Sequence, residues 1–168
     1  MFPARLATQA EELLAACRAR NIKIATAESC TGGLIAGCLT AVAGSSDVVE
    51  RGFVTYSNLA KAEMLGVPGE LIERVGAVSE EVSRAMAEGA LENSAARLSL
   101  AVTGIAGPGG GSDNKPVGLV HLSCALKGSA TGHLRCVFDG DRDAVRLATV
   151  ETALDMALAA VNGQRASA

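Results

Sequence analysis

The segment around Ser29 places a hydroxyl nucleophile between a strand pattern and a helix pattern. Residues 22–27 are short, apolar and β-branched, as in a buried strand, and residues 31–43 carry the apolar stripe of a buried helix. At such a junction, free backbone N–H groups and the helix dipole can hold an oxyanion or a phosphate. The pattern indicates a nucleophile or an anion site at Ser29. The alternative, a plain helix cap at Ser29 or Thr31, is the commoner use of such residues.

Cys30 is a rival nucleophile, because a helix N-terminus lowers the pKa of a thiol. A cysteine mechanism usually also needs a histidine, and the chain has two, His121 and His133. Both fall in a predicted strand hairpin far along the chain, where a structural role in the sheet is the simpler interpretation. For the same reason a Ser-His-Asp triad has little support. We therefore interpret Cys30 as a packing residue, and the general base must be another group.

Tyr56 and Lys61 offer a different base. Tyr56 is the single tyrosine of the chain, and Lys61 follows it five residues later. A lysine that is partly desolvated, or close to another cation, is neutral often enough to take a proton from a serine. Tyr56 could relay that proton or orient a substrate. The alternative is a tyrosine that ends a strand and an ordinary solvated lysine, and this segment alone does not decide between the two.

A glycine-rich loop, residues 103–115, follows the next predicted strand and contains five glycines, at 104, 107, 109, 110 and 111. Such a loop can turn backbone N–H groups inward and bind an anion. It lacks the Lys-Ser or Lys-Thr of a Walker loop and the GxGxxG that opens a helix in dinucleotide-binding folds. A loop of this length in a compact domain is more often functional than idle.

Arg142 stands at the start of the last predicted helix, next to Asp141. Its guanidinium can bind a phosphate or carboxylate in bidentate fashion. It could equally pair with Asp139 or Asp143 on the surface, so the sequence leaves its role open.

Strand and helix patterns alternate along the chain. Predicted strands cover residues 22–27, 48–56, 98–103, 117–126 and 130–138. Predicted helices cover 6–20, 31–43, 59–65, 79–93 and 144–161, with a single helical turn at 68–74, and Ser57, Ser79 and Asp141 are predicted caps. The alternation predicts an α/β fold with three α/β/α layers. The sheet is expected to be mixed, mostly parallel and of about five strands, one of them antiparallel.

Composition argues against several classes of partner. The 168 residues fit a single domain, residues 1–168, with residues 1–5 and 163–168 expected to fray. A net charge of −3, with one tyrosine, three phenylalanines and no tryptophan, argues against nucleic acid. No stretch approaches the roughly 20 apolar residues that cross a bilayer, so no membrane partner is expected. Five cysteines without CxxC spacing, and no signal-peptide core, predict a cytoplasmic protein.

Four segments, in this order along the chain, resemble the CinA C-terminal domain family. They are Ala27-Glu28-Ser29-Cys30-Thr31-Gly32-Gly33, Val54-Thr55-Tyr56-Ser57-Asn58 with Lys61, Val102 to Gly110, and Lys115-Pro116-Val117-Gly118-Leu119-Val120. The likeness covers nearly the whole chain. It implies an α/β/α fold and a homodimer or larger homo-oligomer. It also implies an amidohydrolase that converts nicotinamide mononucleotide and water to nicotinic acid mononucleotide and ammonia, without metal or cofactor.

The resemblance also implies roles for the residues at matching positions. Ser29 would be the nucleophile, Lys61 the base and Tyr56 an assistant. Backbone amides at the start of the helix predicted from Thr31 would hold the oxyanion. The residues expected to bind the nucleotide are Cys30, Thr31, Gly32, Gly33, Thr103, Gly104, Ala106, Gly107, Gly109, Gly110 and Arg142.

Many family members carry a larger N-terminal domain that resembles molybdopterin-binding proteins, whereas here one predicted helix precedes the first motif. The expectation is therefore a stand-alone form. A competing hypothesis is a non-catalytic nucleotide-binding module built from the same glycine loop and helix N-terminus, which would bind ligand without releasing ammonia. A regulatory role through an oligomer interface has no discriminating motif.

Overall fold

The computed structural model describes residues 2–164, which form five strands and six α-helices in the predicted alternation. The strands are β1 (Ile24–Glu28), β2 (Val49–Val54), β3 (Leu98–Gly104), β4 (Leu119–Leu126) and β5 (Gly132–Val137). The helices are α1 (Ala4–Ala19), α2 (Leu34–Thr40), α3 (Asn58–Leu65), α4 (Gly69–Val75), α5 (Glu80–Glu92) and α6 (Arg142–Val161), with a short 3₁₀ helix at Ser45–Asp47. Every predicted element is present, in the predicted order.

The strands form one mixed sheet in the order β2-β1-β3-β4-β5. β1 pairs in parallel with β2 and β3, whereas β4 pairs antiparallel with β3 and β5. Four strands thus share one direction and β4 opposes them, which confirms the predicted sheet. Glu28 at the end of β1 is in register with Val54 of β2 and Val102 of β3. The carboxyl ends of these three strands therefore meet at one edge of the sheet, called the carboxyl edge below.

Helices cover both faces of the sheet, which gives the predicted three layers. Ile24 and Leu100 belong to the core under α1, α2 and α6, while Ala25 and Ala101 belong to the core under α3, α4 and α5. β1 connects to β2 through α2 on one face, and β2 connects to β3 through α3 to α5 on the other. In open α/β sheets ligands bind beyond the carboxyl ends of the strands, where connections diverge in this way.

Local signals set the helix ends near the carboxyl edge. Ser57 accepts a hydrogen bond of 3.0 Å from a backbone N–H in the first turn of α3, and Gly66 ends that helix with a positive φ of 68°. Ser79 caps α5 and Asp141 caps α6 in the same manner. These predicted caps are confirmed, and the cap at Ser57 fixes the position of Lys61 in α3.

The helix predicted at residues 31–43 begins later than expected, since α2 starts at Leu34 and its predicted first turn is not helical. Gly33 has a φ of 99°, a left-handed conformation that favours glycine and interrupts the helix. Residues 29–33 instead form a turn between β1 and α2. The sequence pattern located the helix correctly but not its start, and the start matters for the chemistry.

Ala4 and Arg5, which fall within the N-terminal segment predicted to fray, lie in α1, and Leu6 N donates to Pro3 O at 3.0 Å. Residue 1, and residues 165–168 of the predicted C-terminal fray, lie outside the described residues. No helix within residues 2–164 is long and apolar enough to cross a membrane.

Candidate active site

Ser29 stands one residue beyond β1, at the carboxyl edge. Its N–H donates to Val102 O at 3.1 Å, so the ladder between β1 and β3 extends to the serine. On the other side, Thr55 N donates to the carbonyl of Glu28 at 2.8 Å. The sheet therefore fixes the backbone at Ser29 from both neighbouring strands, and the half-buried side chain remains accessible.

Lys61 brings an amine to the hydroxyl of Ser29. Its Nζ lies 3.1 Å from Ser29 Oγ and donates a second hydrogen bond, of 2.9 Å, to Thr55 O. The amine reaches this place because Ser57 caps α3 directly after β2, and Lys61 lies in the first turn of the helix. The fold thus joins two sequence-predicted residues that are 32 positions apart in the chain.

The surroundings of Lys61 favour a neutral amine. The residue is 1% exposed, and no Asp or Glu among residues 2–164 forms an ion pair with it. Burial lowers the pKa of Lys61 below its ordinary value of 10.5, and the opposing effect of a Cys30 thiolate is smaller. A desolvated lysine amine of this kind can accept the proton of a serine hydroxyl.

The start of α2 holds a carboxylate of the chain itself, which corrects the prediction that its first amides are free for an oxyanion. The N–H groups of Gly33, Ile35 and Ala36 donate to Glu28 at 2.8 to 3.0 Å. The hydroxyl of Thr31 donates to the same carboxylate at 2.6 Å. Glu28 is fully buried and satisfies the helix terminus that would otherwise attract an anion. The sequence signal that could have revealed this is an acidic residue just before a helix.

One backbone amide beside Ser29 remains available. The N–H of Cys30 donates to no oxygen within residues 2–164, whereas the N–H of Gly32 donates to Ser29 O at 3.1 Å and closes the turn. Thr31 is fully buried, and its N–H interacts with the Cys30 sulfur. Amides next to a nucleophile are the usual donors to an oxyanion in acyl transfer. The available donor thus belongs to the turn itself and not to the helix that follows it.

Cys30 and the two histidines do not form a nucleophile and a base. Cys30 is buried, and burial raises the pKa of its thiol to about 11, which leaves little thiolate. His121 Nδ1 lies 2.9 Å from His133 Nε2, and the two rings stack with 5.2 Å between their centroids. His133 Nδ1 lies 3.4 Å from a carboxylate oxygen of Glu80. The histidines therefore pair with each other across β4 and β5, as expected for residues of the sheet.

Arg146 is a basic residue at the site that the sequence analysis does not single out. It lies one turn after Arg142 on α6, and its Nη2 donates to Thr31 O at 3.0 Å. Its Nε is buried without an acceptor in the described part of the chain, and the Asp143 carboxylate is 3.9 Å from its Nη1. Its spacing from Arg142 is the signal that could have found it, because residues four apart lie on the same helix face.

The glycine-rich loop crosses the carboxyl edge between β3 and β4. Gly107 has a φ of 82°, and a Cβ there would lie 2.6 Å from the side chain of Val117, so glycine is required. The N–H groups of residues 106, 107 and 109–111 donate to no acceptor among residues 2–164 and are available to an anionic ligand. Gly104 ends β3, and the hydroxyl of Thr103 donates to Ala77 O at 2.9 Å, which holds the connection between α4 and α5 on β3.

Arg142 joins the glycine loop to Tyr56. Its Nη1 donates to Gly107 O at 2.9 Å and its Nη2 donates to Tyr56 Oη at 3.0 Å. Within residues 2–164, the guanidinium therefore forms no ion pair with Asp139 or Asp143. Tyr56 is 62% exposed and makes no hydrogen bond to Ser29 or Lys61. Tyr56 and Arg142 therefore lie at the rim of the site.

Within residues 2–164, no group of three or more His, Cys, Asp and Glu side chains is arranged to hold a metal ion. A cavity of about 490 Å³ lies between β5 and the end of α6, where Cys124, His133 and Met156 line it. None of the predicted site residues lines this cavity. The candidate site is therefore the open carboxyl edge.

Comparison with known proteins identifies relatives of the same family that the sequence motifs resemble. The chain matches the CinA C-terminal domain over residues 6–161. It is 53% identical over 150 residues to the nicotinamide-nucleotide amidohydrolase PncC of Pseudomonas putida, covering 89% of this chain and 91% of that protein. It is 53% identical over 135 residues to a CinA-like protein of Akkermansia muciniphila, covering 80% of this chain and 33% of that protein. The chain spans about one third of the length of the first curated relatives it matches.

The fold is shared with a solved structure as well. The crystal structure of the competence/damage inducible protein CihA from Agrobacterium tumefaciens aligns with a TM-score of 0.93 at 51% identity, covering 96% of this chain and 98% of that one. The family match extends over Ser29, Lys61, the glycine loop and both arginines of α6. The chain belongs to the CinA C-terminal domain family.

Proposed function

We propose that this chain is a nicotinamide-nucleotide amidohydrolase, which converts nicotinamide mononucleotide and water to nicotinic acid mononucleotide and ammonia. The observation that carries the proposal is the 3.1 Å contact between Lys61 Nζ and Ser29 Oγ. A fully buried lysine is rare unless it is paired, and here its neighbours are a carbonyl and a hydroxyl. Relatives that bear the name of this activity, at 53% and 48% identity over most of the chain, support the choice of substrate.

In the first half of the reaction, neutral Lys61 takes the proton of Ser29 while Oγ attacks the carboxamide carbon. The new C–O bond leaves a negative charge on the carbonyl oxygen, and the N–H of Cys30 donates to it. Lys61, now an ammonium, gives its proton to the amide nitrogen. The C–N bond breaks, and ammonia leaves behind an ester of Ser29.

In the second half, water attacks the ester, and Lys61 takes a proton from that water and returns one to Ser29. The acid product leaves and the hydroxyl is restored. General-base assistance contributes roughly 10²- to 10⁴-fold in rate, and a single oxyanion donor roughly 10²- to 10³-fold. The proposed mechanism requires one neutral lysine and one amide, and the contact of Lys61 with Ser29 Oγ and the adjacent Cys30 N–H support it.

The remainder of the nucleotide would lie along the carboxyl edge toward the glycine loop. The free N–H groups of Ala106, Gly107, Gly109 and Gly110 are suited to phosphate oxygens. Arg142 adds a positive charge at the same loop. Of the other residues predicted to bind substrate, Gly33 and Thr103 already bond within the protein, so we assign them to the shape of the site.

The test is ammonia release from nicotinamide mononucleotide by the purified protein with EDTA present, which also tests the predicted independence of metal. Ser29→Ala should abolish release without lowering the unfolding temperature. Ser129→Ala, an exposed serine in the turn after β4, is the matched control and should retain release. Full activity in Ser29→Ala would exclude the proposed nucleophile. Nucleotide binding without ammonia release would favour the non-catalytic module.

The expected homo-oligomer and the cytoplasmic location stay predictions. We propose that the exposed apolar side chains of Val54, Leu59 and Met64, on β2 and α3, form part of a contact between copies. Light scattering of the purified protein tests this contact. A mass equal to one chain at micromolar concentration would contradict it.

A further inference from the structure

Residues 115–118, called the return segment below, lead the chain from the glycine-rich loop back into β4. Their sequence, Lys-Pro-Val-Gly, belongs to the family resemblance, but the proposed reaction assigns no role to it. Gly118 N donates to Ile105 O at 2.8 Å, and Gly118 O accepts from Phe138 N at 2.9 Å. The last residue of the return segment is therefore fixed between the ends of β3 and β5.

Two glycines of the loop lie against the return segment. A Cβ at Gly107 would lie 2.6 Å from Cγ1 of Val117, and a Cβ at Gly111 would lie 2.8 Å from Val117 N. Ser112 N donates to Lys115 O at 2.8 Å and Lys115 N donates to Ser112 O at 3.1 Å, which closes a turn at the end of the loop. The return segment therefore supports glycines whose N–H groups are available to an anion.

The side chain of Lys115 ties the return segment to a third element. Its Nζ donates to Val75 O at 2.8 Å, and Val75 is the last residue of α4. Carbonyls in the last turn of a helix have no partner within the helix and carry its partial negative charge, so a lysine amine suits them. Within residues 2–164 this carbonyl is the single hydrogen-bond partner of the amine, and no carboxylate pairs with it. Lys115 therefore holds the end of the loop on α4.

The end of α4 is itself fixed to the sheet. Ala77, two residues after Val75, accepts a hydrogen bond of 2.9 Å from the hydroxyl of Thr103 at the end of β3. Lys115 thus joins the loop to a fixed point. Glycine loses more conformational freedom on ordering than any other residue. A loop that is already held does not have to be ordered by its ligand, so the ligand binds more tightly.

We propose that Lys115 is a positioning residue, which holds the glycine-rich loop in the form that binds the phosphate of the nucleotide. The inference rests on the proposed function for the identity of its ligand. It makes a claim of its own, because it concerns binding at the loop and not the reaction at Ser29. It predicts that Lys115 governs the affinity for a substrate that carries a phosphate and has no effect on the same substrate without one.

The test compares Lys115→Met with the wild type on two ligands, nicotinamide mononucleotide and nicotinamide riboside, which has the same carboxamide but no phosphate. Ammonia release gives kcat and KM. NMR titration in a Ser29→Ala background, where no turnover is expected, gives Kd up to the millimolar range. We expect KM and Kd for the mononucleotide to rise about 3- to 30-fold, with kcat changed by less than about twofold. Kd for the riboside should stay within about twofold.

Amide hydrogen exchange in the free protein separates positioning from direct contact with the phosphate. In Lys115→Met, the N–H groups of residues 112 and 115 should exchange about tenfold faster, because their turn is no longer held on α4. A residue that only binds the phosphate would leave this exchange unchanged. Lys115→Arg keeps a donor for Val75 O and should give values between those of Lys115→Met and the wild type.

Lys127→Met is the matched control, because it removes one positive charge from an exposed lysine in the turn after β4. It should match the wild type in KM, Kd and exchange at residues 112 and 115.

Each result supports or overturns the inference. Equal losses of affinity for the mononucleotide and the riboside, or a fall in kcat with unchanged KM, would overturn it. Weaker binding of the mononucleotide with unchanged exchange would make Lys115 a direct ligand, and faster exchange throughout the sheet would make it a structural residue; either also overturns the positioning role. If the protein binds the mononucleotide but releases no ammonia, the proposed function fails, and Kd and exchange decide the inference. Failure to bind the mononucleotide at all would overturn both.

Discussion

Two clusters of titratable side chains, each containing one buried member, differ in whether that member has titratable partners. His121 on β4 and His133 on β5 are joined by a hydrogen bond of 2.9 Å between ring nitrogens. A Glu80 carboxylate oxygen lies 3.4 Å from the other nitrogen of His133. At the end of β1, Lys61 reaches only the Ser29 hydroxyl and the Thr55 carbonyl among the described residues. Burial lowers the pKa of both Lys61 and His121, in the latter case to about 4.

The surroundings of a buried titratable group indicate whether it can react. A group whose polar atoms are satisfied by fixed neighbours gains stability and has little reason to exchange a proton with a ligand. A desolvated amine without an anion, placed against a hydroxyl, costs stability and is free to exchange a proton there. The shift in pKa is alike in direction at both clusters, so only the geometry around each group separates them.

Removing the amine of Lys61, which contacts Ser29, should have the largest effect on activity. We expect Lys61→Met to lower kcat for ammonia release by roughly 10²- to 10⁴-fold, because the general base is lost. The unfolding temperature should stay the same or rise, since a desolvated polar amine is replaced by an apolar side chain of similar size. Lys127→Met, on an exposed lysine after β4, is the control for loss of a positive charge. Activity above one tenth of the wild type would contradict the role of Lys61.

The pH dependence of activity and of stability tests the same role of Lys61 as the general base. Because Lys61 acts as the neutral amine and burial lowers its pKa, kcat/KM should rise with pH, about tenfold per unit, until the pH passes that lowered pKa. Between the lowered pKa and 10.5 the unfolded chain binds a proton that the folded chain does not. Lys61 therefore makes unfolding more costly as pH rises through that window, and its penalty is present below it. A flat pH profile of kcat/KM across the range below 10.5 would count against a titrating lysine.

The histidine cluster should respond in stability and not in activity. Folding lowers the pKa of His121 from 6.5 to about 4, chiefly by burial and then by the charge of His133. The unfolded chain therefore takes up the proton first, and the free energy of unfolding falls as pH drops from 6.5 through about 4, by roughly 3 kcal/mol. His121→Gln should remove most of this dependence, measured by urea unfolding at several pH values, and leave kcat within about twofold. A large loss of kcat in this variant would place the histidine in the reaction.

The smallest effect should come from the rim of the site. Tyr56→Phe deletes the hydroxyl that accepts from Arg142 at 3.0 Å, a bond whose net value is about 0.5 to 1.5 kcal/mol. We expect KM for nicotinamide mononucleotide to rise roughly two- to tenfold with kcat little changed, because the arginine and the loop lose one restraint. If kcat instead fell by about two orders of magnitude, the range of a lost acid–base group, the result would support a proton relay through Tyr56.

Much of the fold could be predicted because its signals are local. The caps at Ser57, Ser79 and Asp141 and the apolar patterns of the strands place every element within a few residues. The start of α2 could not be predicted, because the pattern from Thr31 onward is apolar on the same face whether or not its first turn is helical. The left-handed φ of Gly33 and the contacts to Glu28 decide that point, and neither is visible as periodicity.

At the site, the types of reactive group and the family to which the chain belongs can be inferred from sequence motifs. These motifs marked Ser29, Lys61, Tyr56, the glycine loop and Arg142. Which of these residues lie in contact depends on the tertiary structure. It buried the amine of Lys61 against Ser29, turned Arg142 toward Gly107 and Tyr56, filled the helix terminus with Glu28 and brought Arg146 to the nucleophile turn. The physical reason is that composition and spacing report local conformation. Distance, burial and the loss of solvent around a charge arise only when segments far apart in the chain pack together.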